Sequence, residues 1–121
     1  MPAALALAAG IAALLNIPVL AGDPVPLKVG AVTRHADRFA GQHVLLSGYL
    51  LAREPGYILF SDEARGRISP YDLPVTGAGI DQMVPLKRYL IEGEVLDHGL
   101  AAGNGNPYHL ELGTAPREAP R

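Results

Sequence analysis

Apolar and polar residues alternate along this chain in blocks, and each block reads as an element. Residues 27–40 place Val29, Val32, Ala36 and Phe39 at helical spacing, with Arg34, Asp37 and Arg38 on other faces. That spacing predicts an amphipathic helix. Gly30 weakens its start, so the helix is expected to begin near Ala31. Gly41 stands where a helix C-terminal cap belongs. Five strand-like runs follow, over residues 44–52, 57–61, 67–75, 88–96 and 108–112. Glu54-Pro55-Gly56 is a turn signal that makes the first two runs a hairpin. Residues 62–66 form the next turn, with Gly66 suited to positive φ. Pro70 cannot donate a ladder hydrogen bond, which assigns it to an edge or a bulge of the third strand. Residues 76–86 read as an irregular connection, and residues 98–107 as a loop crowded with glycine, asparagine and proline.

The first and fourth runs are near-repeats. His43-Val44-Leu45-Leu46-Ser47-Gly48-Tyr49-Leu50-Leu51 lines up with Arg88-Tyr89-Leu90-Ile91-Glu92-Gly93-Glu94-Val95-Leu96. Each is interrupted at the same place by glycine, which marks a bulge, a bend or a close backbone approach. Both runs suit long strands of a small barrel that must bend to close.

The expected fold class is mainly β: a five-stranded, closed or partly open barrel of the oligonucleotide/oligosaccharide-binding (OB) type, with one helix before its first strand. The expected core is Val44, Leu46, Leu50, Ile58, Phe60, Ile68, Leu90, Val95, Leu110 and Leu112.

The N-terminal segment has a different character. No charged residue precedes Asp23, and residues 1–21 are rich in alanine and leucine. Pro18 interrupts a helix, and Val19-Leu20-Ala21 offers small residues to a signal peptidase before Gly22. The basic start of a signal peptide is missing, so an uncleaved apolar anchor and a buried core helix remain as alternatives. The chain divides into a signal peptide or anchor (1–21), a linker (22–26), an OB-type domain (27–114) and a disordered tail (115–121).

Composition narrows the chemistry. The 121 residues suit one core, and the net charge of −2 gives no global field for nucleic acid or an anionic membrane. Cysteine is absent, which excludes disulfides, thiolate metal sites and thiol nucleophiles. Ser47, Ser61 and Ser69 lie in expected strands with no nucleophile elbow, and Gly103-Asn104-Gly105 lacks the lysine and helix of a phosphate loop. Glu92 and Glu94 share an outward strand face, where their repulsion discourages edge pairing.

Two binding chemistries stay open. Tyr57, Arg65, Arg67 and Tyr71 surround the second and third strands and form the candidate ligand surface. Glu54, Asp62, Glu63 and Asp72 lie among them and would repel phosphates, which argues against nucleic acid. Three of the four histidines sit beside carboxylates, His35 with Asp37, His98 with Asp97 and His109 with Glu111. His109 and Glu111 share a strand face, but this supplies two ligands rather than a metal site. No metal or other cofactor is assigned.

Residues 44–112 resemble the bacterial OB-fold (BOF) proteins, small periplasmic domains. The resemblance is carried by Val44-Leu45-Leu46-Ser47-Gly48, Phe60-Ser61-Asp62, Gly66-Arg67-Ile68 and Ile91-Glu92-Gly93-Glu94-Val95 with Asp97. Pro70 and Pro74 in the third strand and the long glycine-rich last loop depart from the pattern. The resemblance implies an exported, non-enzymatic binding or accessory module of the cell envelope, periplasmic or secreted. Its partner would be a small ligand, a peptide or an envelope protein, with membrane contact only through residues 1–21. The alternatives are a domain for single-stranded DNA or RNA and a small periplasmic metal- or haem-binding protein.

Overall fold

The structure is a computed structural model describing residues 25–100 and 104–120. The expected signal segment and part of the last loop lie outside the described residues. Among the described residues no helix is long and apolar enough to cross a membrane.

The chain opens with a two-residue strand, β1 (Leu27–Lys28), which runs parallel to Leu46 and Ser47. Two short helices follow, α1 (Val29–Thr33) and α2 (Ala36–Phe39). They replace the single expected helix, because His35 leaves helical geometry at φ −137°. The apolar spacing nevertheless survives the break: Val29, Val32 and Ala36 are buried and Phe39 packs on the core. Gly41 takes φ 80° just beyond α2, the left-handed conformation that suits glycine after a helix.

Five strands then close a barrel: β2 (His43–Glu54), β3 (Tyr57–Ser61), β4 (Leu73–Gly77), β5 (Arg88–Leu96) and β6 (His109–Leu112). The order β2-β3-β4-β6-β5 returns to β2 through the β2–β5 pairing. All neighbours are antiparallel except β4 and β6, which run parallel. β2 bridges both halves, pairing with β5 over His43 to Tyr49 and with β3 over Tyr49 to Glu54. A last strand, β7 (Arg117–Glu118), pairs with Tyr89 and Leu90, so the segment expected to be a disordered tail adds to the sheet.

The two glycines of the near-repeat serve close approach. A Cβ on Gly48 would lie 2.5 Å from the Ser61 carbonyl oxygen and 2.9 Å from the Phe60 ring. A Cβ on Gly93 would collide with the Glu111 carbonyl. The bulge of β2 falls beyond Gly48, where Leu51 is the extra residue between the Leu50–Phe60 and Ala52–Leu59 pairs.

Leu46, Ile58, Phe60, Leu73, Ile91 and Leu110 are fully buried. Each such side chain contributes about 1.5–3 kcal/mol relative to exposure. Two expected core positions are corrected. Leu90 is half-buried on the outer face, while Tyr89, Ile91, Gly93 and Val95 face inward. Side chains alternate between the faces of this unbulged strand, so Leu90 and Val95 cannot both point inward. Tyr89 is tolerated inside because its hydroxyl accepts the Val84 N–H at 2.9 Å. Ile68 is 51% exposed, because residues 67–72 are a loop and not part of the third strand.

The loop has a local cause. Pro70 occupies the second position of a turn closed by the Asp72 N–H donating to the Ser69 carbonyl (3.1 Å). Asp72 Oδ2 accepts the Ser69 N–H (2.8 Å), and Ser69 Oγ accepts the Tyr71 N–H (3.2 Å). These bonds satisfy the backbone without a strand partner. Pro74 is admitted to β4 at a position paired with Leu59, ahead of the first β4–β6 pair.

Candidate functional site

The loop between β3 and β4 arches over the end of β3 and meets α1. Asp62, directly after β3, makes the join: its Oδ1 accepts the Val29 N–H (2.7 Å) and its Oδ2 the Gly30 N–H (2.9 Å). A carboxylate here satisfies two otherwise unpaired amides at the start of α1. This cap explains why α1 begins at Val29 despite Gly30.

Between α1 and the loop lies an open cleft of about 220 Å³, lined by Arg34, Asp62, Glu63, Arg65, Arg67, Ser69, Tyr71 and Asp72 among others. Arg34, at the end of α1, places its guanidinium carbon 4.3 Å from the centroid of the Tyr71 ring. Tyr71 is 50% exposed. Among the described residues, no hydrogen bond or ion pair takes the guanidinium of Arg34, Arg65 or Arg67.

Three of the four expected ligand residues, Arg65, Arg67 and Tyr71, therefore come together in one cleft. Tyr57 does not join them. It starts β3 at the opposite end of that strand and is 8% exposed. The expected surface was the sheet around β3; the concave surface is the loop above its end. Arg34 lacked a sequence signal, since the residue it meets lies far along the chain and α1 is brought to the loop by the cap at Asp62.

The loop itself is fastened from behind. Asn104 Nδ2 donates to the carbonyls of Ser69 (2.6 Å) and Asp72 (2.8 Å), and Asn106 Nδ2 donates to Asp72 (3.2 Å). Asn106 Oδ1 in turn accepts the Tyr108 N–H (2.9 Å). The crowd of turn formers between β5 and β6 thus fixes the backbone that presents Tyr71. Its sequence trace is the pair Asn104 and Asn106 among glycines, which equally signals an unattached loop.

The histidines have separate surroundings. His109 is buried and its Nδ1 donates to the His98 carbonyl at 2.7 Å, while the two rings meet edge to face at 4.8 Å. Glu111 is exposed, and His43 reaches Glu92 at 3.2 Å on the surface. Among the described residues, no three of histidine, cysteine, aspartate and glutamate converge as metal ligands would. A second hollow, of about 390 Å³, lies beside β7 and is lined by Tyr49, Leu86, Lys87, Arg88 and Glu118. There Lys87 is already paired with Glu118 at 3.2 Å.

Parallel pairing of the third and fifth barrel strands, with one long strand shared by both halves, is the arrangement expected of the barrel type named above. The fold is of the OB type. A similar solved structure is the OBody AM3L09 bound to hen egg-white lysozyme, matched at 13% identity with a TM-score of 0.50. The match covers 74% of this chain and 92% of that one. At this identity the likeness shows the fold alone. No family model matches the chain, and no curated protein does.

Proposed function

We propose that this protein is an exported, non-enzymatic binding module of the bacterial cell envelope, and that its ligand sits in the cleft between α1 and the β3–β4 loop. The observation that carries the reading is the gathering of Arg34, Arg65, Arg67 and Tyr71 on one concave surface. A guanidinium held over an aromatic ring, with two more lining the same cleft and none of the three partnered among the described residues, is placed for an external partner. The resemblance of residues 44–112 to the BOF proteins supports export and a non-catalytic role.

The serines speak for binding over catalysis. Ser61 Oγ and Ser69 Oγ each accept a backbone N–H, from Glu63 and Tyr71 respectively, and neither is bonded to a histidine. The nucleic-acid alternative needs exposed aromatic platforms for successive bases. Tyr57 is buried and Arg34 covers one face of Tyr71, which leaves little such platform here.

Amide chemical shifts of the full chain, recorded against a mixed set of small neutral, cationic and anionic compounds, test the site. Binding compounds should move resonances of residues 30–34 and 62–72. Compounds that bind only elsewhere would overturn the assignment. Export is tested by N-terminal sequencing of the protein recovered from a bacterial periplasm, where a chain starting near Gly22 is expected. An intact cytoplasmic chain would refute it.

A further inference from the structure

We infer that the cleft takes an oxyanion, a carboxylate or phosphate carried on a ligand no larger than a single sugar or amino acid, with Arg34 as its principal contact. This rests on the cleft being the binding site.

The first argument is the state of Arg34. Its contact with Tyr71 draws on the ring face and the guanidinium charge. It does not consume the planar set of N–H donors, and no described residue does so either. Tyr71 therefore fixes the side chain in advance, which reduces the entropy lost when a ligand binds. A preset guanidinium with a free donor edge matches the paired oxygens of a carboxylate or phosphate.

The second argument concerns the acidic neighbours. Asp62 gives both oxygens to α1 amides, and Asp72, 7% exposed, gives Oδ2 to the Ser69 N–H. Glu63 is the lining carboxylate to which no described residue donates a side-chain hydrogen bond. Three guanidiniums and three carboxylates therefore line the cleft, and Glu63 is the one carboxylate to which no described backbone amide donates. The formal charges balance, so the preference for an oxyanion rests on the free guanidinium donors and not on an excess of positive charge.

The third argument is size. A cleft of about 220 Å³ is smaller than the 300–1,000 Å³ usual for larger organic ligands. It accommodates one charged moiety and not a run of nucleotides.

The test titrates the full chain with inorganic phosphate, glucuronate, uncharged glucose and a short oligothymidylate, following arginine Nε–Hε and tyrosine ring resonances. Phosphate and glucuronate should shift Arg34 and Tyr71, and glucose should not. The tighter of the two anions identifies which oxyanion the ligand carries. Arg34→Met should weaken that binding at least about tenfold, and Arg34→Lys should also weaken it, because a lysine keeps the charge but loses the paired donors. Glu63→Gln should tighten it. Arg34 and Glu63 are exposed, so the variants are expected to fold, and unchanged amide spectra elsewhere verify this.

Silence of Arg34 toward both anions, or an equal response to glucose, overturns the inference. So does tighter, steeply salt-dependent binding of the oligothymidylate, which would mark a polyanion site. Neutral compounds that occupy the cleft while both anions fail would sink the oxyanion chemistry and leave the cleft as the site. Failure of every compound to touch the cleft would remove both.

Discussion

Asp62 caps a helix that begins 33 residues earlier in the chain: its Oδ1 accepts the Val29 N–H at 2.7 Å. The neighbouring oxygen takes the Gly30 N–H. One side chain thereby starts α1, anchors the β3–β4 loop and forms a wall of the cleft.

Asp62→Ala should lower stability by about 1–2 kcal/mol, the usual cost of losing a helix cap. Asp62→Asn, which keeps one acceptor, should lose less. Urea unfolding of the three proteins measures the order, and an Asp62→Ala variant as stable as the parent would show that the cap contributes nothing.

Gly93→Ala should be more damaging, by about 2–3 kcal/mol, because the added methyl meets the Glu111 backbone and neither strand can yield without breaking the barrel seam. Gly48→Ala should follow closely, since its methyl would face the Ser61 carbonyl. Melting temperatures unchanged in both would refute the close-approach account.

Asn104→Ala removes two hydrogen bonds to the loop backbone, at Ser69 and Asp72. Hydrogen exchange at the amides of residues 67–72 should quicken while the β2–β5 ladder stays protected. Uniform protection across the loop would mean that Asn106 alone holds it.

Thr33 buries its hydroxyl, and no described residue offers that oxygen a hydrogen bond. Thr33→Val keeps the shape and removes the buried polar group, so stability should rise by about 1 kcal/mol. A loss of stability in thermal unfolding would reveal that the hydroxyl has a partner after all.

Much of the barrel was legible because strand signals are local. The hairpin at Glu54-Pro55-Gly56 and the runs that became β2, β3, β5 and β6 depend on alternation and on turn residues. The third strand misled for an equally local reason. Arg67-Ile68-Ser69 reads as strand, but the Ser69–Asp72 turn satisfies the same backbone groups internally and leaves Ile68 outside. Leu90 misled because the fourth run is apolar on both faces around it, and only pairing with β2 and β6 selects which face is inside.

The cleft divides in the same way. Arg65, Arg67 and Tyr71 were visible as a cluster because they are close in sequence. Arg34, Asn104 and Asn106 reach that cluster from sequence separations of more than thirty residues, through Asp62 in one case and through the Asp72 carbonyl in the other.

By itself, then, the sequence determined the barrel class, the β2–β3 hairpin turn and two glycines, Gly48 and Gly93, that mark a bulge, a bend or a close approach in their strands, since periodicity and conformational preference act over a few residues. The tertiary structure decided the register of β5, the start of α1 and the composition of the cleft. Each of these depends on hydrogen bonds between distant segments, and nothing local distinguishes an aspartate that caps a remote helix from one that faces water.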